Sequence, residues 1–246
     1  MSGVQEGSGV TSIPPIEGVH LWFANPTHVV LADLDPLLLR SERDRQASFH
    51  FDKDRRQYLV TRALVRDVLS RYRSVAPHEW NFSRNEYGRP EIDPPCDLRF
   101  NLSNHPTMVV CAVAERCELG VDVEPVARGE AIVTIAETVF APAELADLRA
   151  LPAERRPDRA VTLWTLKEAY VKARGMGLAI PLSSFAFRFE GHRARIEFDN
   201  HLEDRPARWR FVVRDVENHR IAIAAEAPSE PPVRLERWTL PRPAMT

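Results

Sequence analysis

Two carboxylates on one face of a predicted strand are the first candidates for chemistry in this sequence. Asp122 and Glu124 lie in the run Gly-Val-Asp-Val-Glu-Pro that begins at Gly120. Residues i and i+2 of a strand point to the same side, about 6.5 Å apart along the backbone, so both carboxylates can reach one cation. Oxygen ligands suit Mg²⁺, which binds few carboxylates and completes its shell with phosphate oxygens. The spacing leaves open the alternative of a strand whose polar face is simply hydrated.

A second charged group lies on a predicted helix, in the run Trp-Thr-Leu-Lys-Glu-Ala-Tyr-Val-Lys of residues 164–172. Glu168 and Lys172 are four residues apart and therefore stack on one helix face. They form either a surface ion pair, worth about 0.3–0.5 kcal/mol, or a site in which Glu168 binds a metal ion and Lys172 contacts a phosphate. Only Lys53, Lys167 and Lys172 are lysines among 33 basic residues. Two of the three lie in this run, which favours the second interpretation, and Lys167 either serves a second charge or extends along the surface.

The stretch of residues 40–90 is locally basic, with twelve Arg and Lys against seven Asp and Glu. Arg45, Arg56 and Arg89 are candidates for a forked grip on a phosphate. A solvated helix face explains most of these arginines equally well.

Hydrophobic periodicity and turn residues predict the elements that must position these side chains. Helices are predicted to open at Asp35-Pro36 and to cover residues 52–72, 131–140, 142–150 and 158–174. Strands are predicted over residues 19–24, 80–82, 90–92, 98–102, 108–114 and 117–123, with a hairpin turn at 103–107. Strands over residues 185–189, 193–198, 209–214 and 220–226 are predicted to form one antiparallel sheet.

These elements predict an α+β fold of two lobes. The predicted parts are a flexible N-terminal tail over 1–17, lobes over 18–116 and 117–227, and an irregular C-terminal tail over 228–246.

The composition excludes several classes of protein. The chain has 246 residues and a net charge of −2, which argues against a generic nucleic-acid or membrane-surface binder. No apolar run approaches the roughly 20 residues that span a membrane. The three cysteines share no Cys-x-x-Cys spacing, so neither a disulfide framework nor a zinc site is expected, and the cytoplasm is the expected location.

The motifs, taken together, resemble the 4′-phosphopantetheinyl transferases of the surfactin-synthetase type. The resemblance depends on Gly-Val-Asp-Val-Glu followed about forty residues later by Trp-Thr-Leu-Lys-Glu-Ala-Tyr-Val-Lys. Further matches are Arg45 before Phe49, Tyr87-Gly88-Arg89-Pro90, Phe100-Asn101-Leu102-Ser103, residues 139–144 and residues 175–178. The resemblance covers roughly residues 36–226.

Such enzymes move the phosphopantetheine arm of coenzyme A onto a serine of an acyl or peptidyl carrier protein. The resemblance implies a monomer of two similar α+β lobes related by a pseudo-twofold axis, with the active site at the lobe interface. It also implies that Asp122, Glu124 and Glu168 hold Mg²⁺, with Mn²⁺ as an alternative, and that Asp122 and Lys172 contact coenzyme A at its phosphates.

Other residue roles also follow from the resemblance. Arg45 and Arg89 match positions that bind the 3′-phosphate and adenine end of coenzyme A. Glu144 matches a residue proposed to help deprotonate the carrier serine. The family usually has His directly after the Ser that corresponds to Ser103, whereas this chain has Asn104 and then His105. Either of these two, beside Ser103, is the expected contact to coenzyme A, although in a regular strand a shift of one residue turns His105 to the opposite face.

Two other functions are also compatible with the sequence. Clustered carboxylates with a nearby lysine are also used by Mg²⁺-dependent phosphodiesterases and nucleases. A non-catalytic module that binds acidic carrier proteins through residues 40–90 would need no carboxylate cluster. The transferase interpretation predicts coenzyme A and carrier proteins as partners, and no nucleic acid or membrane.

Overall fold

The computed structural model describes residues 16–199 and 202–240. The predicted N-terminal tail therefore lies almost wholly outside the described residues. The first half contains β1 (Val19–Ala24), α1 (Arg40–Arg45), α2 (Asp52–Ser70), β2 (Asn81–Arg84), β3 (Pro90–Asp93), β4 (Leu98–His105) and β5 (Met108–Glu115). The second half contains β6 (Leu119–Pro125), α3 (Gly129–Thr134), α4 (Ala136–Val139), α5 (Pro142–Ala150), α6 (Arg156–Arg174), β7 (Phe185–Glu190), β8 (Arg193–Phe198), β9 (Trp209–Val216), β10 (His219–Glu226) and β11 (Val233–Arg237).

Two sheets packed face to face form the centre of the molecule. Their strand orders are β11-β1-β5-β4 and β6-β10-β9. Both faces of β5 are apolar because both are buried. Val110 and Ala112 pack against the second sheet, whereas Val109 and Val113 pack in the core beneath α2. β10 repeats this pattern, with Ile221 facing the first sheet and its neighbours Ala222 and Ala224 facing α6.

The predicted α+β class is confirmed by this arrangement. α2 and α6, each 19 residues long, cover the outer faces of the two sheets, one helix for each half of the chain. Helix α5 has the predicted bounds, and the predicted boundary at residue 117 falls between β5 and β6.

The prediction of an irregular C-terminal tail is wrong for the residues that form β11. This strand pairs in parallel with β1, Val19 opposite Val233. Trp238 then enters the core of the first lobe at 4% exposure, and its Nε1 donates a hydrogen bond to Asp67 Oδ2 at 2.7 Å. The prolines around the segment suggested irregular structure, but an edge strand tolerates nearby prolines because only one of its sides is paired.

Three other expectations are corrected. The helix expected to open at Asp35-Pro36 is a 3₁₀ segment, Leu31–Leu37. The hairpin turn expected over 103–107 is shorter, because β4 continues to His105, which pairs with Met108. The four late strands do not form one sheet: among the strands of the described residues, β7 and β8 pair only with each other, and β9 joins β10.

Within residues 16–199 and 202–240, no helix is both long enough and apolar enough to cross a membrane.

Candidate active site at the lobe interface

A glycine brings the two motif-bearing elements into backbone contact. A Cβ atom on Gly120 of β6 would lie 2.1 Å from the carbonyl oxygen of Ala169 and 2.3 Å from the backbone nitrogen of Ala173, both in α6. Only glycine allows this close approach. The carboxylates of β6 therefore lie directly beside the charged face of α6.

Asp122, Ser103 and Lys172 form a compact polar cluster across this contact. Asp122 Oδ1 accepts hydrogen bonds from Lys172 Nζ at 2.7 Å and from Ser103 Oγ at 2.9 Å. Lys172 Nζ also donates to Ser103 Oγ at 2.8 Å. Asp122 and Ser103 are each 5% exposed, so the cluster combines residues of β4, β6 and α6 in a largely desolvated place.

Glu124 and Glu168 complete the group of carboxylates. Glu124 Oε1 accepts hydrogen bonds from Arg128 at 2.5 Å and from Trp164 Nε1 at 3.0 Å. Burial, together with the charge of Asp122, raises the pKa of Glu124. Burial and the charges of Asp122 and Glu124 also raise the pKa of Glu168, against the opposing effect of Lys172. Asp122 is therefore close enough to both glutamates, and Glu124 to Glu168, to raise the pKa of these two groups.

The chemistry of these residues fits a divalent cation, although their present positions do not form a finished site. Among the described residues, no group of three or more His, Cys, Asp or Glu side chains is arranged to hold a metal ion. Asp122 Oδ2 is nevertheless buried without a hydrogen-bond partner in the described part of the chain. An unpaired buried carboxylate oxygen is costly, and a bound cation would relieve that cost. Glu124 and Glu168 would have to turn toward Asp122 to share one ion with it.

A cleft of about 660 Å³ opens between the lobes above this cluster. Glu168 and Lys172 of α6 line one side. The opposite side consists of α2, the turn between β2 and β3, and β4, and its lining includes Gln57, Tyr58, Arg62, Tyr87, Arg89 and Asn104. Glu168 and Lys172 therefore line a cavity of the size that binds a small-molecule substrate, and the buried Asp122 adjoins it through its hydrogen bond with Lys172.

The three candidate arginines occupy different places. Arg89 lines the cleft, but its guanidinium is engaged by Glu118 at 2.9 Å and by the carbonyl oxygen of Ala173 at 2.9 Å. Arg45 lines a neighbouring cavity of about 690 Å³, and its exposed side chain has no ion pair in the described part of the chain. The two cavities share Phe49, Tyr58, Arg62, Arg84 and Pro90 as lining residues, so they form one continuous groove. Arg56, the third arginine, instead donates to the carbonyl oxygens of Pro26 and Val29.

The structure separates Asn104 from His105. Because β4 extends through His105, Ser103 and His105 share one face of the strand and Asn104 lies on the other. Asn104 lines the cleft and accepts a hydrogen bond from Gln57 at 2.6 Å. His105 instead contacts Thr107, 2.9 Å from Nδ1, and lies outside the cleft lining. Of the two alternatives, the geometry therefore favours Asn104.

Glu144 is not brought to the site. It is 1% exposed; its Oε2 caps α5 through the Ala141 nitrogen, and its Oε1 accepts from the Phe187 nitrogen at 2.8 Å. Lys167 Nζ lies 2.7 Å from Glu144 Oε2 and donates to the carbonyl oxygens of Leu182 and Phe185. Both residues therefore have structural roles, because α5 and the segment before β7 cover them completely. The expectations that Glu144 acts as a base and that Lys167 serves the site or lies on the surface are not supported.

Several residues that line the cleft lie outside every motif recognised in the sequence. Gln57, Tyr58 and Arg62 are spaced around one face of α2, and Phe49 packs on Tyr58 with ring centroids 5.1 Å apart. The polar and aromatic residues among the apolar positions of α2 were the available signal. That signal does not by itself separate a ligand-binding face from a solvated one.

A cleft between two α+β lobes that is lined by a glutamate and a lysine, with further carboxylates beside them, is typical of an enzyme that handles phosphate groups. A family model described as the 4′-phosphopantetheinyl transferase superfamily matches residues 118–224, and one described as the N-terminal part of 4′-phosphopantetheinyl transferase matches residues 22–116. A 4′-phosphopantetheinyl transferase from Bacillus subtilis is 31% identical over 189 residues, which are 76% of this chain and 81% of that protein. The transferase HetI from Nostoc sp. is 32% identical over 166 residues, 65% of this chain and 70% of that protein. The transferase Sfp from Bacillus subtilis strain 168 is 33% identical over 150 residues, 60% of this chain and 64% of that protein.

The chain therefore belongs to the 4′-phosphopantetheinyl transferase superfamily. The prediction of a transferase of the surfactin-synthetase type is confirmed. Among solved structures, a holo-(acyl-carrier-protein) synthase from Bacillus anthracis has a TM-score of 0.37 and 16% identity, covering 44% of this chain and 93% of that one. This likeness is too low to support an inference.

Proposed function

We propose that the protein transfers the 4′-phosphopantetheine group of coenzyme A to a serine of an apo carrier protein, with the interlobe cleft as its active site. Family membership gives the reaction class. The observation that supports the location is that Glu168 and Lys172 line the cleft while Lys172 contacts the buried Asp122, so that carboxylates suited to a metal ion and a cation meet there. The groove that continues to Arg45 offers positive charge to the 3′-phosphate end.

Asp122, Glu124 and Glu168 would hold Mg²⁺, with Mn²⁺ as an alternative, and that ion would stabilise charge on the phosphoryl oxygens. Asp122 offers its unpaired Oδ2, and Glu168 makes no hydrogen bond or ion pair with any described residue that would have to be broken.

The chain's own residues then bind and orient the phosphates. Lys172 lines the cleft and can place its ammonium on a phosphate oxygen, which offsets the charge that develops as the bond to the departing bisphosphate breaks. Arg89 and Asn104 lie on the facing wall, where they can fix the position of the nucleotide. The wall from α2 and the wall from α6 together align the carrier serine with the reacting phosphorus, which is the main source of rate in such a reaction.

The direct test is incubation of the protein with coenzyme A, Mg²⁺ and an apo carrier protein, followed by mass spectrometry of the carrier. A mass gain of one phosphopantetheine group on the serine, lost on chelation of the metal, is the expected result. A carrier of unchanged mass would contradict the proposal. Parallel samples with DNA would reveal a nuclease as cut strands, and carrier binding without a mass change would identify a non-catalytic module.

The proposal includes a monomer that acts in the cytoplasm without nucleic acid or membrane. One copy contains both walls of the cleft and all the residues assigned above, so a second copy is not needed to complete the site. The carrier-modification assay at increasing protein dilution tests this, since a monomer keeps constant specific activity.

A further inference from the structure

The ammonium group of Lys172 is bound to Asp122, the carboxylate that the metal ion would need. Its Nζ lies 2.7 Å from Asp122 Oδ1 and 2.8 Å from Ser103 Oγ. Ser103 donates its hydroxyl hydrogen to the same Oδ1 atom. Both acceptor positions of Oδ1 are therefore used by this chain's own donors, and only Oδ2 remains unpaired in the described part of the chain.

A metal ion that entered this site alone would meet the ammonium at close range. The Lys172 side chain is only 29% exposed and that of Asp122 only 7%, so water screens the two cations weakly. Glu168 lies one helical turn before Lys172 on the same face of α6, so an ion bound to Glu168 would also be close to Lys172 Nζ. The ion must therefore either tolerate the repulsion or displace Lys172 from Asp122.

Phosphate groups in the cleft would remove this conflict. Lys172 lines the cleft, so rotation about its flexible four-carbon chain can carry the ammonium from Asp122 to an anion above it. A compact ammonium suits this exchange better than a planar guanidinium, which is bound best in one fixed orientation. Each partner then gains when the other is present, because the anion draws Lys172 away and the metal ion takes its place.

We propose that Lys172 is an internal cation that occupies Asp122 in the free protein and moves to the phosphates of coenzyme A, so that metal ion and coenzyme A bind cooperatively. This proposal rests on the proposed function. It makes Lys172 both a contact to substrate and the residue that prevents tight metal binding in the absence of substrate.

The first test measures Mn²⁺ affinity by electron paramagnetic resonance, without coenzyme A, for the wild type, Lys172→Met and Lys53→Met. Methionine has nearly the length of lysine and carries no charge. We expect Lys172→Met to bind Mn²⁺ about tenfold more tightly than the wild type, a factor within the usual range of coupling between two sites. Lys53→Met removes the same charge from an exposed position of α2 and should leave the affinity unchanged. Equal or weaker Mn²⁺ binding by Lys172→Met would overturn the proposal.

Asp122→Asn separates failure of this proposal from failure of the metal assignment. If Asp122→Asn binds Mn²⁺ as well as the wild type does, the assignment of the metal to this site is wrong. If Asp122→Asn loses Mn²⁺ while Lys172→Met gains no affinity, the metal site stands and only the role of Lys172 fails.

A second measurement needs no variant at the site. With only three lysines in the chain, isotope-labelled lysine gives three side-chain signals in a nuclear magnetic resonance spectrum. Lys53→Met identifies the exposed lysine, and the Phe185 ring, 4.2 Å from Lys167 Nζ, marks Lys167 by its ring-current shift. We expect the Lys172 signal to move when Mg²⁺ and coenzyme A are added together, and the Lys167 signal to stay. A Lys172 signal that keeps its position with both ligands bound would contradict the exchange.

Discussion

Replacement of Gly120 by alanine should separate the two halves of the site with a single methyl group. The new Cβ would lie 2.1 Å from the Ala169 carbonyl oxygen. Real Cβ contacts essentially never fall below 3.0 Å, so α6 must retreat by about 3.0 − 2.1 = 0.9 Å. The atoms it meets belong to the backbone of α6 and cannot rotate away.

The expected loss of stability follows from overpacking. Extra methyl groups in a packed core typically cost 1–3 kcal/mol, and contact with backbone places this case near the upper end, at about 3 kcal/mol. In a chain of this length each kcal/mol lowers Tm by about 2–4 °C, so a fall of about 6–12 °C is expected.

The effect on activity follows from the same movement. Glu168 of α6 would move by about 0.9 Å away from Asp122 and Glu124 of β6, so the carboxylates assigned to one metal ion would no longer be aligned with each other. A misplacement of about 1 Å in an active site commonly costs about a hundredfold in rate. Turnover of carrier protein should fall by about that factor.

Thermal unfolding and carrier modification, measured on the same preparation, test both effects. Gly191→Ala is the matched control, because the described part of the protein places no atom within 4 Å of the new Cβ and only the positive φ of 61° adds strain. That control should lose about 1–2 kcal/mol and keep full activity. A Gly120→Ala protein with a Tm within about 2 °C of wild type and normal turnover would refute the close contact between β6 and α6.

Four further predictions concern single groups. Glu168→Gln should abolish metal-dependent turnover, and an unchanged turnover would remove Glu168 from the metal site. The same variant should raise the Tm of the metal-free protein at pH 7. The reason is that the pKa of Glu168 is raised, so the charged carboxylate destabilises the fold. Lys167→Met alone should cost about 3–5 kcal/mol in urea unfolding, because it leaves the buried charge of Glu144 without its cation. Lys167→Met combined with Glu144→Gln should cost less, because glutamine removes that charge and keeps an acceptor for the Ala141 and Phe187 nitrogens. Additive losses would contradict the ion pair. Trp238→Ala should cost about 3–5 kcal/mol, measured in the same way, and a loss below 1 kcal/mol would mean that the C-terminal segment is not part of the core. Burial raises the pKa of Glu42, but the hydrogen bonds and charges of Arg66 and Arg62 lower it by more, so that the pKa lies below 4.5. Glu42→Gln should therefore destabilise the protein at pH 7, with the difference from wild type shrinking as the pH falls below 4.5, and a difference independent of pH would exclude the ion pair as its cause.

Local patterns were sufficient to predict most of the helices and strands. α5 and β8 have their predicted bounds, and α6 begins two residues before its predicted start. Residue periodicity reflects the direction of side chains within one element, so it can be recognised without knowledge of the partner. For the same reason the sequence alone predicted that Asp122 and Glu124 share one face of β6 and that Glu168 and Lys172 share one face of α6.

Contacts between distant elements could not be predicted in this way. Glu144 and Lys167 carry charges that suit catalysis, but α5 and the segment before β7 enclose them as a buried pair. The orientation of Asn104 toward the cleft depends on how far β4 continues its pairing with β5. β11 lies among prolines, and only its pairing with β1 shows that it is a strand.

The sequence by itself determined the types of chemical group and their spacing within each element, and, through the paired motif, the family. It did not determine that Lys172 lies on Asp122, fifty residues away along the chain, or that Lys167, five positions before Lys172, is sealed in the core. Those outcomes depend on the packing of α6 against β6 at Gly120, and on the rotation of α6 that places one lysine toward the cleft and the other toward the interior. Tertiary structure decides them because each arises from contacts between parts of the chain whose relative positions no local pattern encodes.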